Sequence, residues 1–353
     1  MPLVPMKQIL DEAMKGGYGV GAFNVNNMEQ IQAVMEAANE TNSPVIIQAS
    51  RGALQYSRTI YLKKMVEAAI EEYPHIPVAW HLDHGDSLKT CMKAIDLGFT
   101  SVSIDGSLKC VVVKKGGKKK KELVPRTFDE NVEITKNVVK EAHKHGVTVE
   151  GKIGYLHSIE DGIGYEEGMT YSPFFTNPRE AEEFVKETGV DALTVDIDIR
   201  SWAFSVKPKS PVKYDALPHI MAIDTRNNIH LNMPEIPLVL CGGSSVPKEL
   251  GDMIEECGGE LRGISGFPIE KIQEAIKYGV RKININTDIW LAMTGAIRKY
   301  LKENPTKYDP RDYLRPAREA MKNLCVKKMI AFGQAGHAGD YKPLTLDDMK
   351  KFY

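Results

Sequence analysis

Nowhere does the 353-residue chain contain an apolar run of the roughly 18 residues that a membrane-crossing helix needs. Its opening stretch, Met1–Pro5, turns polar too soon to read as a secretory leader. Cysteine is sparse: Cys91, Cys110, Cys241, Cys257 and Cys325 stand far apart, with no CxxC pair and no framework spacing. That excludes a disulfide scaffold and fits a reducing, cytoplasmic setting. Excess charge is lacking too, since 46 basic and 47 acidic residues leave a net charge of -1. Neither a nucleic acid nor a membrane surface is therefore expected as a partner. Finally, no glycine-rich turn follows the first apolar segment. Asn24-Val25-Asn26-Asn27 stands there instead, which argues against a dinucleotide-binding open sheet.

What is present is a rhythm. Eight short apolar runs recur: Tyr18–Val25, Pro44–Gln48, Pro77–Asp83, Ser101–Asp105, Val147–Ile153, Ala192–Ile197, Pro237–Cys241 and Lys282–Ile285. Amphipathic stretches at helical period separate them, among them Met28–Glu40, Tyr61–Glu72, Leu88–Leu97, Asp129–His143, Pro178–Thr188, Val246–Cys257 and Ile269–Lys277. Runs that are apolar throughout belong to strands buried on both faces, and strand–helix alternation implies a parallel sheet. Eight such units predict an α/β fold, a TIM (β/α)8 barrel spanning residues 1–353 as one domain. Two features decorate it. Leu108–Val124 holds two β-prone arms around Lys-Gly-Gly-Lys and reads as an inserted hairpin over 108–124, with six lysines within 114–121. A helix from Thr287 to about Lys302 precedes a C-terminal extension, 303–353.

In such a barrel the chemistry sits at the C-terminal ends of the strands. Those ends carry Asp83-His84, Asp105-Gly106-Ser107, Glu150-Gly151-Lys152, Asp196-Ile197-Asp198, Cys241-Gly242-Gly243-Ser244-Ser245 and Asn284-Ile285-Asn286-Thr287. Glycine–serine runs that lead into a helix can cradle a phosphate, because the backbone approaches closely and the helix N-terminus favours an anion. Asn284 and Thr287, from the neighbouring strand, add to that cradle. Glu150 and Lys152 are two apart and share one face of their strand. A buried Lys152 needs a carboxylate partner, with Glu150, Asp196 and Asp198 as candidates, or it serves as a reactive amine for Schiff-base chemistry.

These stretches together make the chain resemble the class II fructose-bisphosphate aldolases. The likeness runs through Tyr18–Gln30, His81–Asp86, Phe128–Thr135, Thr188–Leu193, Leu240–Pro247, Lys282–Asp288, Met293–Ile297 and Phe332–Asp340. It implies a TIM barrel, usually a homodimer or larger, that uses Zn2+ to stabilise an enediolate. It also implies an aldehyde-lyase acting on a phosphorylated ketose in carbohydrate metabolism. By position, Asp83 matches the catalytic acid/base and His84 the first zinc-ligand histidine. Asp105 and Glu150 match acidic residues near the metal. Gly242, Gly243, Ser244, Asn284 and Thr287, with Asn286 beside them, match the site for the ketose 1-phosphate. Ser50 and Arg51 close the far side of the pocket.

The departures cluster at the metal and at the far end of the substrate. Cys241 stands before Gly-Gly-Ser-Ser where the family has histidine, and Ser201 replaces the third ligand histidine. Lys152 replaces the glutamate of Glu-Leu-Gly, and Trp290 takes the place of an arginine. The expectation is an aldolase-type lyase that keeps the dihydroxyacetone phosphate half of its site. Its zinc site is altered or lost, leaving His84, Cys241 and Asp105 as candidate ligands, with His157 a further one. Lys152 then becomes the candidate electron sink, as a Schiff base or as a fixed charge. The other class of reading is a noncatalytic homologue that binds a sugar phosphate or a partner subunit.

Overall fold

The computed structural model describes residues 3–115, 118–153, 176–195, 229–261, 268–340 and 342–353, with the backbone alone at 110 and 114–123. The strands are β1 (Val20–Asn24), β2 (Val45–Ser50), β3 (Val78–Gly85), β4 (Ser101–Ile104), β5 (Leu108–Lys115), β6 (Lys118–Pro125), β7 (Thr148–Lys152), β8 (Ala192–Thr194), β9 (Leu238–Leu240) and β10 (Val280–Ile285). Eight of them close a parallel barrel in the order β1-β2-β3-β4-β7-β8-β9-β10, with β10 pairing back onto β1. This is the TIM barrel that the eight apolar runs predict. Valine, isoleucine, leucine and alanine dominate those runs because each strand is covered by the barrel interior on one face and by helices on the other.

The intervening helices start where the sequence supplies caps. Asn27 accepts from the Gln30 N–H at the start of Met28–Glu40. Thr127 and Glu130 form a reciprocal capping box ahead of Phe128–His143. Asn177 caps Pro178–Thr188 with proline in its first turn. Helices Met6–Gly16 and Arg51–Ser57 lie outside the amphipathic stretches read from the sequence. The first packs Met6, Ile9, Leu10 and Ala13 under the N-terminal end of the barrel.

The inserted hairpin forms as expected. β5 and β6 pair antiparallel from Leu108↔Pro125 out to Lys115↔Lys118, and they make a sheet of their own. Its root is tied down where Arg126 N–H donates to the Ser107 carbonyl at 2.8 Å. Lys109 also pairs with Glu130 at 2.5 Å. The residues 303–353 include a long helix, Pro310–Ala331, that folds back against Met28–Glu40 and Thr287–Glu303. Among the described residues, no helix is long and apolar enough to cross a membrane.

Candidate active site

Polar side chains interrupt the apolar strands at one end of the barrel. Asn24 ends β1, Gln48 and Ser50 lie on β2, and Asp83 and His84 lie near the end of β3. The register sets Asn24 beside Gln48 and Ser50 beside Asp83. Asn24 Nδ2 donates to Asp83 Oδ2 at 2.9 Å, and Gln48 Nε2 donates to Asn24 Oδ1 at 2.6 Å. Burial opposes ionisation of Asp83. The charges of His84 and Lys282 and the Asn24 hydrogen bond outweigh it and hold the carboxyl below its usual range. Asp83 is therefore a carboxylate at neutral pH, able to accept a proton.

His84 takes its place through a backbone irregularity. The register between β3 and β4 breaks between Leu82 and Gly85, and His84 has φ of +53°. A non-glycine residue in the left-handed region is strained, and such strain gathers at functional sites. The turn sets His84 Nε2 3.6 Å from Asp83 Oδ1 and within hydrogen-bonding reach of Cys241. Burial works against its protonation, but Asp83 and then Cys241 outweigh this and push His84 up to about 10.

Lys152 does not pair with Glu150. Its Nζ lies 2.7 Å from Asp105 Oδ2, with both residues enclosed, and Asp105 Oδ1 accepts from the Ser107 N–H and hydroxyl. Burial raises the Asp105 pKa, yet Lys152 and the Ser107 hydroxyl bring it below the ordinary value. Asn131 Nδ2 holds the Lys152 carbonyl at 2.9 Å. Glu150 faces a different set of groups in the barrel interior. Lys282 Nζ is 2.9 Å away, Thr194 Oγ1 donates at 2.6 Å, and His81 Nε2 lies at 3.4 Å. Burial and the Lys282 charge hold His81 neutral. Lys282 also donates to Asn284 Oδ1 at 2.6 Å, which leaves the Asn284 amide protons as donors toward the site.

The Gly242–Ser245 loop follows β9 and approaches β10. Gly242 has φ of +77°, and a Cβ on Gly243 would stand 2.3 Å from Ile283 and 3.1 Å from the Asn284 carbonyl. Only glycine permits this approach. Asn286 N–H donates to Ser244 Oγ at 3.4 Å, and Thr287 opens the helix Thr287–Glu303. The buried Asn286 Oδ1 has no partner among the described residues. Across the mouth, Ser50 caps the helix Arg51–Ser57 by accepting from Ala53 N–H at 3.2 Å, and Arg51 pairs with Asp86.

The donors for a zinc ion can be counted among the described residues. No group of three His, Cys, Asp or Glu side chains is placed to hold a metal. His84 and Cys241 supply two donors where a catalytic zinc takes about three from the protein. Asp105 is engaged by an ammonium, and the Lys152 charge, felt at His84, repels a cation placed beside that histidine. These residues do not by themselves fit the ion. Ser201, Asp196, Asp198 and His157 lie outside the described residues.

Gln48 and Lys328 join this region from outside every motif, and Asn24, Lys282 and Asp288 join it from stretches of the resemblance that assign them no role. The available signal was a polar residue inside a stretch otherwise buried on both sides, as at Gln48 in Val45–Ser50 and Lys282 in Val280–Ile285.

The model of the family described as fructose-bisphosphate aldolase class-II matches residues 4–337. A fructose-bisphosphate aldolase of Giardia intestinalis is 48% identical, covering 100% of both chains. One from Pseudomonas aeruginosa is 46% identical over 100% of this chain and 97% of its own. Among solved structures, the YdjI aldolase of Escherichia coli K12 superposes with a TM-score of 0.69 at 25% identity, covering 96% of this chain and 100% of that one.

Proposed function

The chain belongs to the class II fructose-bisphosphate aldolase family, and we propose that it is an aldehyde-lyase cleaving a carbon–carbon bond of a phosphorylated ketose. The observation that carries this reading is Asp83. It is a buried carboxylate kept ionised by Asn24 and by neighbouring positive charge, in a family that acts on sugar phosphates.

The substrate's 1-phosphate lies in the loop Gly242-Gly243-Ser244-Ser245, with Asn284, Asn286 and Thr287 beside it. Backbone and side-chain donors there meet its charge without a bulky side chain intervening. Asp83 accepts the proton of the hydroxyl on the carbon beyond the scissile bond. That hydroxyl carbon becomes the aldehyde, and the electron pair of the broken bond passes to the dihydroxyacetone phosphate half as an enediolate. Ser50 and Arg51 border the aldehyde half.

The enediolate needs positive charge near its oxygens. Zinc supplies that charge in the family, and the two donors described here, His84 and Cys241, are one short. Lys152 is a fixed cation on the same side of the barrel, within electrostatic reach of His84. Its 2.7 Å pairing with Asp105 favours the ammonium over the free amine that Schiff-base chemistry requires. We assign Lys152 the role of a charge rather than a nucleophile. Glu150 supports the site by holding Lys282, and through it Asn284. Family membership further suggests a homodimer or larger homo-oligomer working in the cytoplasm.

The test is a coupled assay for triose phosphate, run on fructose 1,6-bisphosphate and a panel of other phosphorylated ketoses. Release from at least one is expected. Silence on every member would return the chain to the noncatalytic reading.

A further inference from the structure

The helix Pro310–Ala331 lies outside the barrel, yet it sends one charge inward. Lys328 is 3% exposed, and its Nζ is 2.5 Å from Asp288 Oδ2. Asp288, in the first turn of Thr287–Glu303, is fully buried. The same ammonium reaches the Ser245 carbonyl at 3.3 Å and donates to the Ser245 hydroxyl. All three donors of the ammonium are thereby committed. Ser245 N–H closes the ring by donating to Asp288 Oδ2 at 3.1 Å. The last residue of the Gly242–Ser245 loop is thus gripped at its N–H, its carbonyl and its hydroxyl oxygen.

A buried lysine–aspartate pair is costly to desolvate and is not by itself a source of stability. This one is also incompletely satisfied, since the buried Asp288 Oδ1 has no hydrogen-bond partner among the described residues. Neighbouring apolar residues on the same helix, Met321, Leu324, Cys325 and Met329, already dock it against the barrel helices. The helix thus has apolar anchors besides this charge. What the charge changes is the loop. Burial raises the Asp288 pKa and Lys328 works against that rise; without Lys328 the buried carboxyl would have no counter-ion and would be driven toward its protonated form behind Ser245. Ser245 would also lose the contacts that fix its backbone. With Lys328 in place, the Ser245 oxygen accepts from the ammonium and its own proton remains available to an incoming oxyanion.

We propose that Lys328 is a positioning residue for the phosphate loop: from the C-terminal helix it fixes Ser245, directly and through Asp288, and so sets the affinity for a phosphate monoester. This rests on the reading of Gly242–Ser245 as the phosphate cradle. The experiment is calorimetric titration of the full chain with sn-glycerol 3-phosphate, comparing wild type, Lys328→Met, Lys328→Arg and the double variant Lys328→Met/Asp288→Asn. Lys328→Met is expected to weaken binding by about tenfold, the loss of one charge-assisted contact. Lys328→Arg is expected to restore most of it. The double variant removes both buried charges and so leaves none unpaired, and it too is expected to bind weakly because the ammonium's grip on the Ser245 carbonyl and hydroxyl is gone. In turnover, KM for the ketose phosphate should rise with kcat nearly unchanged. Wild-type affinity in Lys328→Met or in the double variant, whatever its melting temperature, overturns the role of Lys328. Failure of the wild type to bind overturns the phosphate reading itself.

Discussion

At the scale of single residues, the chemistry turns on which charges are fixed and which can move a proton. Asp83 is an ionised carboxylate, and Lys152 is a cation pinned by Asp105. Incubation with dihydroxyacetone phosphate and borohydride should therefore leave Lys152 unmodified by peptide mass analysis. A reduced adduct there would show it to be a nucleophile. Replacing Lys152 by Met should cost about a hundredfold in kcat, the scale of losing one electrostatic contact to a developing oxyanion. Lys152→Arg, which keeps the charge, should recover part of it. Strand-end position alone was enough to single out Asp83, His84, Lys152 and the Gly-Gly-Ser-Ser loop. Their partners were not legible. Glu150 stands two residues from Lys152 and could have been its counterion. Its actual partner, Lys282, comes beside it only when the barrel closes. Lys328 was hidden for a different reason: a lysine on a helix usually reads as a solvated face.

At the scale of elements, caps and periodicity made the helices readable. Met28–Glu40, Pro178–Thr188 and Ile269–Lys277 run over the residues their patterns indicate. Arg51–Ser57 went unseen because it is short and buries none of its residues. The helix Pro310–Ala331 is held at its start by Asp309, which accepts from the Arg311 N–H at 3.0 Å and pairs with its guanidinium at 2.6 Å. The Arg311 hydrogen bonds lower the Asp309 carboxyl from 3.8 to about 2. A depressed folded-state pKa contributes stability above the unfolded value and loses it as pH falls through the folded one. Asp309→Ala should therefore lower Tm at neutral pH, and its gap from the wild type should close between about pH 4 and pH 2. Thermal melts across that range check it. A gap independent of pH would show that the carboxylate charge is not what caps the helix.

At the scale of the whole molecule, a closed parallel barrel brings strand ends far apart in sequence to one rim, which carries Asp83, Lys152 and the Gly242–Ser245 loop. The rhythm of eight apolar runs made that architecture readable, because it depends on periodicity rather than on particular contacts. Near-neutral net charge concealed an uneven distribution: six lysines fall within 114–121, near the tip of a hairpin whose root adjoins Asp105. Composition could not show this, since a sum carries no position. Histidine count was equally uninformative. Of nine histidines, His84 is the one at a ligand position that the resemblance implies, and Cys241 is its neighbour.

The most direct measurement is the rate of triose phosphate release from the phosphorylated ketose that the wild type cleaves best, compared between wild type and Asp83→Ala. With Asp83 as the group that takes the hydroxyl proton, the variant should be slower in kcat by about a hundredfold or more while still binding sn-glycerol 3-phosphate. Equal rates in the two proteins would contradict the account.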